Sequence, residues 1–387
     1  MNNPNIKLFT PWSVLQILLA GGAVYVLVAK LMYGLGAVTN LSDNWPWGLW
    51  IGFDVGAYIA VAAGGFSIAA LYYIFKIEKL RSLAKPAVLI AMLMYTIAAI
   101  GIFIDIGRSI NIVHPLWMWQ PESVMFEVAW CVMLYLTVLF LEVSPNLFQR
   151  WKAETLMKIH RFFLIPLVIS GVILSFLHQS SLGALFLITP DQHPLWHSPE
   201  MGYLFLISAI AMGLSLVMAA SILVARSWKM PLRMDVLSSL AKGVAWVLAI
   251  YLVARFVELA IIGNISEAFT FDEFGLLFWA EVGLGMAIPM TIMFSKLRKN
   301  TGWLAFASTL VILGVLLNRI NVLVISHAPA RVGSYFPTWQ EFLFTFGLIT
   351  GAMFAFRVIA KYLPIFEYQT DGVPQEKLET TPDTIEA

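Results

Sequence analysis

Residues 87–107, AVLIAMLMYTIAAIGIFIDIG, form an apolar run long enough to cross a lipid bilayer as one helix, with Asp105 as its only charged residue. Nine more runs of this kind lie at about 12–33, 48–75, 122–143, 162–178, 201–225, 238–262, 274–295, 302–322 and 339–360. Membrane strands would alternate polar and apolar residues, which these runs do not. Helices form all their backbone hydrogen bonds within one segment and so suit continuous apolar runs in lipid. The sequence therefore predicts an all-α fold, a polytopic membrane helical bundle of about ten transmembrane helices.

The composition agrees with a chain that lies in lipid. Hydrophobic residues make up 60% of the sequence and charged residues 12%, against about 25% charged residues in soluble domains. The net charge of +1 leaves no basic face for nucleic acid. Because Cys131 is the only cysteine, the chain cannot form an intrachain disulfide or hold an iron–sulfur cluster by itself.

The charges between the runs predict the orientation. Basic residues concentrate in the segments on one face, which we call the basic face, including Lys76, Lys79, Arg150, Lys229 and the trio Lys296, Arg298 and Lys299. By the positive-inside rule this face is cytoplasmic, with both termini on it, as in a bacterial or archaeal cytoplasmic (inner) membrane. The first run is too long for a cleavable signal and is interpreted as a retained span. We expect a membrane domain over residues 1–362 and a flexible cytoplasmic tail over 363–387.

Nine ionisable residues lie inside the apolar runs or at their outer ends: Asp54, Asp105, Arg108, Glu127, His178, Arg255, Glu258, Glu281 and Arg319. Each costs about 2.5–3.5 kcal/mol on insertion, so such residues usually mark a functional site. The topology places nearly all of them near the outer face. The sequence therefore predicts a polar pocket close to that surface.

Structural roles are the alternatives for these residues. Asp105 with Arg108, and Arg255 with Glu258, are spaced to form ion pairs along one helix face. His178 is followed by Gln179-Ser180-Ser181 and could instead cap its helix. Snorkelling to the interface is the alternative for three cations, Lys30, Arg108 and Arg319.

Two further patterns bear on architecture and metal content. The depths of Glu127 and Glu281 suggest two parallel four-helix repeats, spans 2–5 and 6–9. His160 and His178 lie at opposite ends of one run, about 27 Å apart as a helix, and cannot share an iron. The other four histidines fall in or beside outer loops, so the sequence predicts no haem and no metal site.

Several motifs together resemble the NrfD/HybB family of respiratory membrane subunits, in particular its ten-span HybB/DsrP/HmeC-type members. The resemblance covers residues from about 30 to 362 and rests on Gly34-Leu35-Gly36, the run Trp45 to Asp54, Ile104 to Arg108, Phe126-Glu127, His178 to Gly183, His193 to Trp196, Arg255 to Glu258, Phe278 to Glu281, and Tyr335 to Trp339.

The resemblance implies a membrane anchor that acts only within a complex, of a hydrogenase type or of a sulfur- or sulfate-respiration type. An iron–sulfur, ferredoxin-like subunit would dock on the outer face beside further catalytic subunits and exchange electrons with quinone, menaquinone or ubiquinone, held non-covalently. Quinone-binding candidates are His178, Asp54, Glu127, Asp105 and Arg108. Proton-relay or pocket candidates are Glu281, Arg255 and Glu258.

Other functions compete with this hypothesis. The chain could translocate protons or other ions without quinone chemistry, or act as a transporter, although transporters usually place their site at the midplane. A passive scaffold would need only structural ion pairs.

Overall fold

The computed structural model describes residues 6–185 and 192–366. Within these ranges ten helices are long and apolar enough to cross a membrane and no strand occurs, which confirms the predicted fold class. We number them α1 Pro11–Tyr33, α2 Trp50–Ile74, α3 Glu78–Asp105, α4 Val124–Arg150, α5 Glu154–Leu185, α6 Met201–Trp228, α7 Met234–Ile262, α8 Glu273–Phe294, α9 Thr301–Ala330 and α10 Trp339–Tyr362. The predicted tail falls mostly on residues 367–387, outside the described ranges.

The helix α5 departs most from its predicted bounds. It was expected over 162–178 and instead runs from Glu154 to Leu185. The polar residues after His178 do not end the helix, because the hydroxyls of Ser180 and Ser181 donate back to the carbonyl of Leu177, at 3.0 and 2.7 Å. Their polarity is satisfied inside the helix, so His178 lies about two turns before its end.

The helices pack as two neighbouring groups. Helices α2 to α5 contact one another, and so do α6 to α9, while α1 lies along α10 and α10 reaches α3. The groups meet where α2 crosses α6. A Cβ atom on Gly64 would lie only 2.3 Å from the carbonyl oxygen of Gly213, so the two backbones touch at this crossing. The grouping follows spans 2–5 and 6–9, but a true internal repeat stays a prediction.

Two helices contain wide π-helical turns near their outer ends. One covers Trp50–Val55 in α2 and holds Asp54, and the other covers Ala280–Ala287 in α8 and holds Glu281. Such turns are frequent at functional sites because they displace one residue from the regular helical register. In both helices the carboxylate is fully buried against neighbouring helices.

Candidate functional site: three buried polar clusters

The structure places four of the predicted site residues, His178, Asp54, Asp105 and Glu281, in three buried polar clusters. The histidine cluster consists of Tyr95, Tyr135, His178 and Gln179. The acidic cluster consists of Lys30, Asp54, Asp105, Glu341 and Thr345. The glutamate cluster consists of Trp196, Tyr251, Glu281, Asn318 and Asn321. No hydrogen bond or ion pair of the described residues joins the clusters to one another, and the single pocket stays a prediction, although each cluster contains residues that the sequence singled out.

The histidine cluster joins α3, α4 and α5. His178 is 0% exposed, and its Nδ1 atom is hydrogen-bonded to the hydroxyl of Tyr95. The ring of Tyr95 meets that of Tyr135 edge-on, with centroids 4.7 Å apart. The Nε2 atom of His178, the Tyr135 hydroxyl and both amide atoms of Gln179 are buried without a hydrogen-bond partner.

This concentration of unpaired polar atoms is unusual. More than about nine in ten buried polar groups in proteins have a partner, so each exception calls for a water, an ion or a ligand. Gln179 is 0% exposed like His178, and neither residue can reach bulk water in this conformation. The histidine cluster therefore has the hydrogen-bonding capacity to receive a polar guest. The predicted alternative, that His178 caps its helix, is wrong because the helix continues for another two turns.

Glu127 lies beside this cluster, on its outer side. It is in the first turn of α4, where the helix dipole favours a negative charge. Its Oε1 atom accepts a hydrogen bond of 2.6 Å from Ser181, which is one turn beyond His178. Glu127 itself is exposed at the helix surface. It lies less deep than predicted because α4 begins at Val124, two residues after the expected start.

The acidic cluster lies on another side of α3, among α1, α2 and α10. Thr345 donates a hydrogen bond of 3.0 Å to Asp54 Oδ2, while Asp54 Oδ1 and Asp105 Oδ1 are buried without partners. The ammonium group of Lys30 donates to the carbonyl of Ile106, at 2.7 Å, and to Ser109. Lys30 is only 3% exposed, so the snorkelling interpretation is wrong for it.

Glu341 closes the acidic cluster at its outer end. The Thr338 hydroxyl caps α10 by accepting the backbone N–H of Glu341, at 3.2 Å, and the Glu341 carboxylate accepts hydrogen bonds from the Tyr335 hydroxyl and from the backbone N–H of Thr338. The Tyr335 hydroxyl also accepts from the backbone N–H of Leu49, at 2.8 Å. Burial, reinforced by Glu341, raises the pKa of Tyr335 well above its usual value. Tyr335 therefore stays neutral and serves as a donor that fixes the start of α10.

Arg108 does not pair with Asp105. The helix α3 ends at Asp105, and the extended backbone at Ile106 and Arg108 carries the arginine away from that helical face. Arg108 is exposed, which agrees with the interfacial alternative, and the cation whose charge acts on the Asp105 carboxylate is Lys30. The predicted pair fails because the spacing rule assumed that the helix continued.

In the glutamate cluster both carboxylate oxygens of Glu281 are hydrogen-bonded, while the Oδ1 atom of Asn321 is buried without a partner. Glu281 accepts from Trp196 Nε1 at 3.1 Å, and the side-chain amides of Asn318 and Asn321 donate to it at 2.8 and 2.9 Å. Arg319, next to Asn318, donates to the Phe205 carbonyl at 2.9 Å and lies 3.6 Å over the Phe205 ring. Arg319 is 0% exposed, so it does not snorkel. With no unpaired carboxylate oxygen, this cluster has the character of a structural network.

The predicted pair of Arg255 and Glu258 is confirmed. The two side chains form an ion pair of 2.5 Å with 1% and 5% of their side chains exposed. Arg255 also donates to the carbonyl of Leu195, which ties α7 to the segment before α6. This pair lies at the outer end of α7, near the glutamate cluster.

A bundle of ten apolar helices with buried polar clusters near one end defines a multi-pass membrane protein. Residues 37–329 match the family model described as polysulphide reductase, NrfD. Since this match covers most of the sequence, the chain belongs to the NrfD family.

Three relatives cover nearly the whole chain. A protein of Nitratidesulfovibrio vulgaris is 33% identical, over 95% of this chain and 98% of its own length. The probable Ni/Fe-hydrogenase 2 b-type cytochrome subunit of Escherichia coli is 34% identical, over 93% of this chain and 92% of its own. The menaquinone reductase, integral membrane subunit of N. vulgaris is 26% identical, over 95% of this chain and 94% of its own.

The name of the E. coli relative corrects one prediction. A b-type cytochrome is a haem protein, which contradicts the expectation of no haem, and that expectation is withdrawn. The residues present fit a haem only in part. His178 and His160 each have a buried, unbonded Nε2 atom, but they are about 27 Å apart along α5 and cannot ligate one iron together. Within residues 6–185 and 192–366, His160 and His178 are the two histidines whose Nε2 atom is buried without a partner, so the described residues supply no pair of imidazoles for one iron.

Sequence reasoning missed several members of the clusters. Tyr95, Tyr135, Asn318 and Asn321 are uncharged and occur inside apolar runs, so a search for ionisable residues passed over them. Each lies on the buried face of its helix, and helical spacing from a known polar residue could have found them. Asn318, for example, directly precedes Arg319.

Proposed function

We propose that this chain is the quinone-reactive membrane subunit of a respiratory oxidoreductase complex, with its quinone site at the histidine cluster. An iron–sulfur subunit on the outer face, with further catalytic subunits, would exchange electrons with the bound quinone. The basic face would be cytoplasmic, in the inner membrane of a bacterium or archaeon. The chain alone would not be an enzyme.

The observation that carries the proposal is the set of unpaired buried polar atoms at His178 and Gln179. A quinone has two carbonyl oxygens that need hydrogen-bond donors, and an imidazole N–H or an amide N–H can serve each one. A planar ring also packs well against aromatic side chains such as Tyr95. By contrast, the glutamate cluster has no unused donor or acceptor on its carboxylate, and a ligand there would have to break existing hydrogen bonds.

The relatives support the same chemistry. One is named as the integral membrane subunit of a menaquinone reductase and another as a subunit of a hydrogenase. Both names describe membrane partners of redox enzymes. A haem, which the hydrogenase relative's name implies, would supply one-electron transfer when bound, but the described residues offer it no pair of imidazoles, and the proposal gives the free Nε2 atom of His178 to the quinone.

We propose different roles for the other predicted residues. His178 and Gln179 would donate to the quinone oxygens, and Tyr95 fixes the His178 ring. Glu127, bonded to Ser181, would line the outer side of the site. The remaining candidates lie outside this site. Asp54 and Asp105 belong to the acidic cluster, and Arg108 lies at the outer surface. Arg255, Glu258 and Glu281 lie in the second helix group, α6 to α9.

The reaction at this site needs both electrons and protons. Reduction of a quinone to a quinol consumes two electrons, here from the iron–sulfur partner, and two protons, one for each oxygen. A group that donates a hydrogen bond to a quinone oxygen is also placed to transfer a proton to it. His178 has this position, and Tyr95 on its Nδ1 atom can replace the proton it gives away.

Turnover of variants tests the assignment. The complex would be purified in mild detergent with its co-purifying subunits, and menadione reduction would be followed with reduced benzyl viologen as electron donor. We expect His178→Ala to slow turnover by roughly a hundredfold or more, the scale of general acid catalysis. His197→Ala, which changes an exposed histidine, is the matched control. Unchanged turnover in an intact His178→Ala complex would refute the assignment.

A second candidate is ion or proton translocation without quinone chemistry. The unpaired Oδ1 atoms of Asp54 and Asp105 favour it, because buried carboxylates are frequent in ion pathways. This candidate predicts that Asp54→Asn abolishes ion movement across vesicles while His178→Ala leaves it intact. The quinone proposal predicts that His178→Ala slows menadione turnover more than Asp54→Asn does.

A further inference from the structure

A second polar site lies at the opposite end of the helices that hold the histidine cluster. A cavity of about 160 Å³ opens on the basic face among α2, α3, α4 and α5. Its polar lining comprises Tyr73, Lys85, Glu142, Asn146, His160 and Arg161. The sequence singled out none of these residues as a site, because they lie where charged residues are expected at a cytoplasmic surface.

Polar residues connect this cavity with the histidine cluster along α4. Tyr135 and Glu142 are seven residues apart, so they lie on the same face about 10 Å apart along the axis. Side chains on a helix lean toward its N-terminus, which in α4 is the outer end. Glu142 therefore leans toward Tyr135, and Tyr135 leans toward Tyr95 and His178.

The facing side of α5 continues the same line. A Cβ atom on Gly171 would lie 3.8 Å from Glu142 Oε1 and 3.8 Å from Tyr135 Cε2, so both side chains border this glycine. Ser175, one turn further, lies beside Tyr135 and is buried. His178 follows three residues later on the same face.

Unpaired polar atoms occur all along this line. They are His160 Nε2 at the cavity, the Tyr135 hydroxyl midway and His178 Nε2 at the outer end. Buried polar atoms without protein partners are commonly bridged by water, which needs a polar site with several partners. The nearest atom to an added Cβ on Gly171 is Val138 Cγ1, at 3.5 Å, so at this position α5 places no side chain of its own between Tyr135 and Glu142.

We propose that these residues form a proton path from the basic face to the quinone site, in the order Glu142 and His160, then Tyr135 with Ser175, then Tyr95, then His178. This inference rests on the proposed quinone function. For each quinone reduced, two electrons arrive from the iron–sulfur partner on the outer face, and two protons arrive along the path from the basic face. In quinol oxidation the same protons leave by the same path. The reaction therefore moves charge across the membrane.

The competing route is shorter and leads to the outer face. Ser181 and Glu127 adjoin His178 and reach the outer surface directly. Protons that used this route would enter from the same side as the electrons, and no charge would cross the membrane. The two routes differ in the compartment that supplies the protons.

Vesicles that contain the complete complex distinguish the routes. The complex would be oriented with the basic face inward, and entrapped pyranine would report luminal pH during menadione reduction by reduced benzyl viologen. Valinomycin with potassium would collapse the membrane potential, and vesicles without the complex would give the uncatalysed rate. We expect two protons to leave the lumen for each quinol formed.

Variants then test the named residues. Tyr135→Phe and Glu142→Gln should each slow menadione turnover and luminal proton uptake by roughly tenfold or more, as expected for loss of a proton-transfer group. Menadione binding, measured by quenching of tryptophan fluorescence, should not change. Thr137→Val and Glu154→Gln, which alter an exposed hydroxyl on α4 and an exposed carboxylate at the start of α5, should behave like the wild type.

Each result decides the proposal. Proton uptake from the outer compartment, or wild-type rates in both Tyr135→Phe and Glu142→Gln, would overturn the path while leaving the quinone function standing. Failure of the wild type to bind menadione would overturn the quinone function itself, and the path with it. A variant that loses menadione binding would show that the residue shapes the quinone site instead of conducting protons.

Discussion

Removal of one partner of the buried ion pair should destabilise the protein strongly. Arg255 and Glu258 are almost fully buried, and their charged groups are 2.5 Å apart. Replacing Glu258 with Leu would leave the guanidinium of Arg255 buried without its counter-charge. Breaking such a pair from one side costs about 3–5 kcal/mol of unfolding free energy.

The double variant separates the effect of losing the ion pair from the effect of leaving one buried charge unpaired. When Arg255→Met is combined with Glu258→Leu, no unpaired charge remains, and only the carbonyl of Leu195 loses its donor. That loss corresponds to about 1–3 kcal/mol. The double variant should therefore be more stable than Glu258→Leu alone.

Equilibrium unfolding in mixed micelles, with added SDS as the denaturant and circular dichroism as the signal, measures these differences. The exposed pair of Arg233 and Asp235, 3.2 Å apart, provides the control, and Asp235→Ala should leave the unfolding midpoint unchanged. The reasoning is refuted if Glu258→Leu is as harmless as Asp235→Ala, or if the double variant is no more stable than the single one.

Three further predictions address packing, pH and haem. Gly64→Ala should lower the unfolding free energy by about 1–3 kcal/mol, because the added methyl group would collide with Gly213. Gly21→Ala is the control and should leave the unfolding free energy unchanged, because the space around Gly21 is open. The SDS titration in mixed micelles measures both variants. At the start of α8 the carboxylate of Asp272 accepts the backbone N–H of Gly275, and this hydrogen bond is the main reason why the pKa of Asp272 is lowered. The stabilisation by Asp272 is therefore present above the usual aspartate pKa and is lost as the pH falls below about 4. Asp272→Asn keeps the cap without the charge, and its unfolding midpoint should fall less on acidification than that of the wild type. A haem of the kind named for the E. coli relative should give a reduced-minus-oxidised absorption band that persists in His178→Ala, because the proposed quinone site uses the free Nε2 atom of His178, and loss of the band there would show that His178 holds the haem instead.

The sequence was sufficient to predict the number and type of the spanning helices, because long apolar runs permit few structures in lipid. Helix ends were less predictable. His178 was expected at the end of a helix since polar residues follow it, but the serine hydroxyls bond back to carbonyls and the helix continues. This difference of two turns changes His178 from an interfacial residue into a fully buried one.

Contacts between helices could not be predicted from the sequence. Lys30 was interpreted as snorkelling because nothing in α1 suggests a partner, but its partners are a carbonyl and a hydroxyl that follow α3. Glu341 lies two residues after Trp339, where the sequence indicates the membrane interface, yet it is 1% exposed. Both depend on how α1 and α10 pack against α3, and one sequence contains no information on that packing.

The location of a bound quinone decides whether the histidine cluster is the quinone site. A photoactivatable naphthoquinone would be added to the purified complex, illuminated, and its attachment sites identified by mass spectrometry. The account predicts adducts on α3 around Tyr95 and on α5 around His178, and their disappearance when excess menadione competes. Adducts that occur only around Asn318 on α9, or only around Glu341 on α10, would contradict the assignment of the quinone site to the histidine cluster.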